Sequence, residues 1–126
     1  RSSAASDVYK RQDKIYQYGL EKNVIISSFN HYSMQKVKEY DSSIKTGLLY
    51  GLPIHKPGEY ARRIGADALH PLFSLIMDKD IIGDIKENGI LINTYTVNKE
   101  SDMKKLIHLG VDGIITNYPN VLKKLI

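Results

Sequence analysis

The stretch INTYTVNKESDMKKLIHLGVDGIITNYP, residues 92–119, reads as strand, helix, strand, with polar residues closing each strand. Met103, Leu106, Ile107 and Gly110 recur at helical spacing and give the middle segment one packing face. Asn98 stands where a cap is expected, with Glu100 and Asp102 in the first turn, where the helix macrodipole favours acids. On either side, ILINTYTV (90–97) and VDGIITN (111–117) read as strands, and Pro119 opens a last short helix over 119–126. Two strands joined through a helix run parallel, so the unit is one repeat of a larger sheet.

The same alternation extends toward the N-terminus. VIISSF (24–29) is a short β-branched run suited to a buried strand, and Asn30 can cap a helix whose Met34 and Val37 share a side with Tyr40 or Asp41. IKTGLLYG (44–51) is the next strand, followed by a turn-rich loop, LPIHKPG, over 52–58. A short helix is expected over 59–64, then an extended piece, ADALHP (66–71), in which Pro71 keeps His70 out of helical geometry. A longer helix is expected over 74–87, with Leu75, Ile82 and Ile85 on one side, Ile81 beside them and Gly89 as its stop. Ahead of all this, Ile15, Tyr16 and Leu20 can line a helix over 12–22 that ends near Gly19.

Strands and helices alternating about every twenty residues mean a parallel sheet covered by helices, either an open doubly wound sheet or a closed eight-stranded barrel. Neither G-x-G-x-x-G nor G-x-x-x-x-G-K is present, which removes the two commonest nucleotide-binding turns. At 126 residues with 42% hydrophobic content, the chain suits one ordinary domain with a core. No apolar run reaches the roughly 18 residues of a spanning helix, so a soluble body without a membrane span is expected. The chain has no cysteine, so it has neither a disulfide framework nor a thiolate site; this fits a reducing setting and leans the reading toward the cytoplasm.

The formal charge of +4 is concentrated at one end. RSSAASDVYKRQ, residues 1–12, holds three basic residues and one acidic, leaving 15 basic and 13 acidic over the other 114. A near-balanced body argues against a nucleic-acid partner. Residues 1–12 lack the charged, apolar and small-residue regions of a signal peptide, and they resemble a translated library-adapter sequence. They are read as a non-native tail, with residues 13–126 as part of a domain whose native chain begins further upstream.

Several segments, taken in order, carry a resemblance: Ser27-Ser28-Phe29-Asn30-His31, Thr46-Gly47-Leu48-Leu49-Tyr50, Ala68-Leu69-His70-Pro71, Asn93 through Asn98, and Gly110 through Pro119. Each is short, but their sequence and spacing over residues 12–126 resemble the C-terminal half of the glycerophosphodiester phosphodiesterase family. The resemblance implies an α/β fold that is the C-terminal half of a TIM (β/α)8 barrel, with the site at the C-terminal rim of the strands. It also implies a place in lipid metabolism, by hydrolysis of glycerophosphodiesters to glycerol 3-phosphate and an alcohol. A divalent cation, Ca2+ or Mg2+, is implied in the full-length domain, together with two acid-base histidines and metal-holding carboxylates. The family's His-Arg-Gly, Glu-x-Asp, His-Asp and Glu-x-Lys all precede the SSF strand and have no counterpart here. The chain is therefore expected to be a truncated piece that holds no metal and is inactive alone. Two unpaired sheet edges would open it to self-association. Another phosphate-handling α/β barrel enzyme and a non-enzymatic α/β scaffold or interaction module stay open as alternatives.

No residue here is expected to be catalytic or to bind metal. Phe29, Tyr50, His70 and Tyr95 are the expected substrate-pocket wall, against the competing reading of ordinary strand-end packing. Tyr95 stands where the family commonly has tryptophan, which trims the wall and adds a hydroxyl. His31, Asn98 and Asn117 are expected to fix the rim or its loops, Asn98 mainly as a cap. Asn117 occupies a position the family often fills with aspartate. Asp112 is expected at the opposite, bottom end of its strand in a stabilising role. His55 and His108 read as solvated and helix-terminal, and Lys45 and Lys56 as solvated rather than phosphate-binding.

Overall fold

The computed structural model describes residues 25–126. The expected helix over 12–22, the tail over 1–12 and Val24 lie outside the described residues. Five strands alternate with five α-helices: β1 (Ile25–Ser28), α1 (His31–Tyr40), β2 (Lys45–Tyr50), α2 (Pro57–Ile64), β3 (Ala68–Pro71), α3 (Lys79–Glu87), β4 (Leu91–Thr94), α4 (Glu100–Leu109), β5 (Gly113–Ile114) and α5 (Pro119–Lys123). A 3-10 turn, Phe73–Leu75, follows β3. All adjacent pairs are parallel, and the spatial order is β1-β2-β3-β4-β5. That order decides between the two layouts. A doubly wound sheet reverses strand order at a switch point, whereas an unbroken sequential order is an arc of a barrel.

Alternation along the strands separates two faces. Ile26, Thr46, Leu48, Leu69, Ile92 and Thr94 point outward under the helices, each no more than 1% exposed. They meet Met34 and Val37 of α1, Ala61 of α2, Ile82 and Ile85 of α3, and Met103 and Leu106 of α4, and this layer is the core. The other face carries Ile25, Gly47, Leu49, His70, Leu91 and Asn93, of which Ile25 and Leu91 are 39% and 46% exposed. It is the concave side of the arc.

The helices begin and end for identifiable reasons. Asn30 caps α1, its Oδ1 accepting from Ser33 N at 3.1 Å. Within α1, Met34 and Val37 are fully buried, while Tyr40 is exposed. Pro57 starts α2 two residues earlier than expected; Lys56 before it is left-handed (φ 52°) and provides no side-chain cap. The cap comes from α3, where Asp84 Oδ2 accepts from Gly58 N at 2.7 Å.

The helix expected over 74–87 is corrected to a 3-10 turn and a separate α3. Asp78 interrupts it by accepting from the N–H groups of Asp80 (2.7 Å) and Ile81 (3.2 Å), a local cap that outcompetes helix continuation. Gly110 is likewise not on the packing face of α4: at φ 95° it ends that helix, donating to Leu106 and Ile107 carbonyls.

Two aspartates pin the bottom of the sheet. Asp67, just before β3, takes Thr46 N–H of β2 at 2.8 Å and Lys38 Nζ of α1 at 2.6 Å. Asp112, just before β5, takes Ile92 N–H of β4 at 2.8 Å. Each thereby fixes the register of the neighbouring strand at the end opposite the rim.

Candidate functional site at the C-terminal rim

The C-terminal strand ends gather Phe29, Tyr95, His70 and Asn93 on the concave side. Phe29 packs edge-on against Tyr95, with ring centroids 6.3 Å apart and planes at 88°. Tyr95 Oη donates to the Tyr50 carbonyl at 3.1 Å. The aromatic pair thus spans from β1 to β4 over the ends of β2 and β3. Phe29 is 64% exposed, so its outer face is free to meet a ligand.

Below the aromatics lies a polar layer. The His70 imidazole rests on Gly47 of β2, where an added Cβ would sit 2.6 Å from Nε2 and 2.7 Å from Cε1. Asn93 Nδ2 lies 3.1 Å from His70 Nε2, and the Asn93 carboxamide oxygen lies against Gly113 of β5. Burial lowers the His70 pKa below the ordinary histidine value. Glycine at both flanking positions lets two polar side chains lie flat across four strands.

Tyr50 requires a correction. Its ring points to the helix-covered face, 6% exposed within the core, because it shares the alternation of Thr46 and Leu48. Its hydroxyl is enclosed without a hydrogen-bond partner among the described residues, and burial, reinforced by the nearby Asp84 carboxylate, raises its pKa strongly. Only the Tyr50 carbonyl reaches the rim.

His31 is the first residue of α1 and ties three elements together. The Leu49 carbonyl can only accept, so Nε2 donates to it at 2.7 Å, leaving Nδ1 to the Tyr60 hydroxyl of α2, also at 2.7 Å. Burial raises the Tyr60 pKa, against the opposing pull of Arg63, whose guanidinium lies 5.7 Å from the ring centre. A cleft of about 270 Å³ beside this group, between α1 and α2, is lined by His31, Tyr32, Gln35, Tyr60, Arg63 and Ile64.

Asn98 is not the helix cap its position suggested, because Lys99 occupies the N-cap of α4 and makes no side-chain bond there. Asn98 Oδ1 instead accepts from Asn117 N (3.0 Å) and Thr116 Oγ1 (3.3 Å), joining the loops after β4 and β5. Asn117 enters that link through its backbone, and its side chain is exposed. His55 and His108 are exposed.

Asn93 and Tyr60 join the site without a local sequence signal of their own. Counting alternate residues back from Tyr95 places Asn93 on the same face, and pairing β3 with β4 places it opposite His70. The step that reveals Asn93 is therefore strand register, whereas Tyr60 depends on the approach of two helices that no local pattern encodes. Among the described residues no three His, Asp or Glu side chains converge to hold a metal ion. The rim's own donors, His70, Asn93 and the Tyr95 hydroxyl, do not fit a divalent cation, which prefers several carboxylate or carbonyl oxygens. No helix among the described residues is long and apolar enough to cross a membrane.

Comparison with known proteins agrees with a barrel arc. The chain is 41% identical over 112 residues to a glycerophosphodiester phosphodiesterase of Caldanaerobacter subterraneus subsp. tengcongensis, covering 89% of this chain and 46% of the relative. It is 30% identical over 117 residues to one of Bacillus altitudinis, covering 92% and 48%. The chain therefore spans about half the length of these relatives.

Among solved structures, a glycerophosphodiester phosphodiesterase from Parabacteroides distasonis ATCC 8503 superposes with a TM-score of 0.85 at 21% identity, over 99% of this chain and 52% of that one. A phosphodiesterase of Oleispira antarctica, in complex with the product sn-glycerol-3-phosphate, superposes with a TM-score of 0.71 at 26% identity, over 79% and 40%. These folds are TIM barrels, and the five parallel strands described above are an arc of one. The glycerophosphoryl diester phosphodiesterase family model matches residues 2–121, nearly the whole chain, and by that match the chain belongs to this family.

Proposed function

We propose that this chain is the later portion of a phosphodiesterase barrel that hydrolyses glycerophosphodiesters to glycerol 3-phosphate and an alcohol. The observation that carries the reading is the 41% identity to a glycerophosphodiester phosphodiesterase, aligned over 46% of that relative's length. In this reading Phe29 and Tyr95 form an apolar wall against the glycerol or head group, and His70 forms the floor beneath them. His31, Asn98 and Asn117 hold the loops that carry that wall. The acid-base histidines and the carboxylates belong to barrel strands that precede β1. When bound there, a divalent cation, Ca2+ or Mg2+, would offset charge on the phosphoryl oxygens.

Without those groups the chain gives little transition-state stabilisation and is inactive alone. Residues 1–12 are read as a non-native tail and residues 13–126 as the family portion, while the family model's match begins at residue 2 and so runs through that tail. The outer edges of β1 and β5 have no strand partner among the described residues, and Ile25, Phe29, Leu91 and Ile115 are exposed, which favours self-association of the isolated piece. The test is to recover the coding sequence that precedes codon 13 from the source gene, and to assay the full product for cation-dependent release of glycerol 3-phosphate. An upstream His-Arg-Gly and Glu-x-Asp with turnover is the expected result. Unrelated sequence upstream, with no turnover, would overturn the assignment.

A further inference from the structure

We infer that Asn93 is a positioning residue: it fixes the His70 tautomer so that this histidine meets the ligand as a neutral hydrogen-bond donor at Nδ1. This rests on the reading of the rim as a glycerophosphodiester pocket and names one polar contact within it. The Asn93 amide nitrogen faces His70 Nε2 at 3.1 Å, and an amide NH2 group can only donate. Nε2 must then accept with its lone pair, so the ring proton resides on Nδ1.

The surroundings leave the ring little alternative. Gly47 lies beneath it, with Nε2, Cε1 and Cδ2 all within 3.0 Å of where a Cβ would stand, so the ring cannot drop toward β2. On the far side, Gly113 lets the Asn93 carboxamide lie against the β5 backbone, which limits the freedom of its donor end. His70 Nδ1 has no partner among the described residues, and it is not among the enclosed polar atoms that lack one. The N–H is thus open to a ligand, on the side of the sheet that His70 shares with Asn93. A neutral donor at that place suits a hydroxyl or phosphoryl oxygen of a glycerophosphate group. The depressed pKa of the buried ring agrees with a neutral imidazole there.

The proton position can be read without substrate. Long-range 1H–15N spectra of the 15N-histidine-labelled chain report it, with His70 assigned by its loss in His70→Asn. The expected result is the Nδ1–H tautomer in the parent chain. Asn93→Asp presents a carboxylate that can only accept, and should move the proton to Nε2. Asn93→Leu, which removes the donor at nearly the same volume, should give a mixture. An Nε2–H ring in the parent chain, or a tautomer unmoved by Asn93→Asp, would overturn the inference.

In the full-length domain, Asn93→Asp should raise KM about tenfold, the equivalent of one hydrogen bond. An unchanged KM would refute the ligand-facing role of Nδ1. Because the tautomer is measured on the free chain, a full-length domain with no turnover would count against the phosphodiesterase reading alone.

Discussion

Replacing Asp67 separates two contributions to the sheet that the structure shows converging on one oxygen. Asp67 Oδ2 accepts from Thr46 N at 2.8 Å and from Lys38 Nζ at 2.6 Å, while Lys45 Nζ stands 4.0 Å from Oδ1. The Asp67 and Lys38 side chains are 25% and 15% exposed, and Thr46 is fully buried. Asp67→Ala leaves the Thr46 N–H without an acceptor, which costs about 1–3 kcal/mol. Loss of the partly screened ion pair adds about 1 kcal/mol, the upper end for such pairs.

The expected destabilisation is therefore about 2–4 kcal/mol, a large share of the roughly 5–15 kcal/mol that holds an ordinary domain together. Asp67→Asn keeps an oxygen for Thr46 and removes only the charge, so about 1 kcal/mol or less is lost. Urea unfolding measures both. With a slope of about 2 kcal/mol/M, the midpoint falls by about 1–2 M for alanine and by no more than about 0.5 M for asparagine. Equal falls for the two variants, or an alanine variant within about 0.5 kcal/mol of the parent, would refute the backbone-clamp argument.

Three further outcomes follow from individual side chains. Gly83 lies within α3 with nothing within 4 Å of an added Cβ, so Gly83→Ala should raise stability by about 0.5–1 kcal/mol in the same urea assay. Tyr50→Phe removes an enclosed hydroxyl that has no partner among the described residues, so stability should hold or rise by about 1 kcal/mol, as thermal unfolding would register. His70 has a folded pKa below its unfolded value of about 6.5, so the unfolded chain binds more protons between the two. Stability is then full above about pH 6.5 and falls as pH drops from there toward the folded pKa. His70→Asn should remove that part of the slope when unfolding is followed across pH.

Much of the architecture was legible because local signals and tertiary structure agreed. Asn30 sits directly before an apolar-periodic run and caps it, and the strand-helix alternation of 92–119 is the repeat of the sheet itself. Legibility ended where a side chain chose between two partners. Asn98 could have capped α4, yet its oxygen serves Thr116 and Asn117 across the rim. Asp78 caps α3 in the middle of an apolar period that otherwise reads as continuous. The facing of Tyr50 is not legible in the sequence because Gly47-Leu48-Leu49-Tyr50 is apolar throughout, as strands covered on both faces are, and such a run hides which residues point which way. The Asn93–His70 pair depends on register between β3 and β4, in which Leu69 neighbours Ile92, and no local pattern encodes that register.

The central claim is that residues 13–126 supply part of a pocket wall to a barrel whose hydrolytic groups lie upstream. It is tested most directly by joining the upstream half of the Caldanaerobacter relative to this chain. Glycerol 3-phosphate release from a glycerophosphodiester is then followed in Mg2+ or Ca2+, beside the chain alone. The account predicts cation-dependent turnover from the joined protein and none above the blank from the chain by itself. Turnover by the chain alone at a rate matching the joined protein would contradict it, because a sufficient hydrolytic set would then lie within these residues.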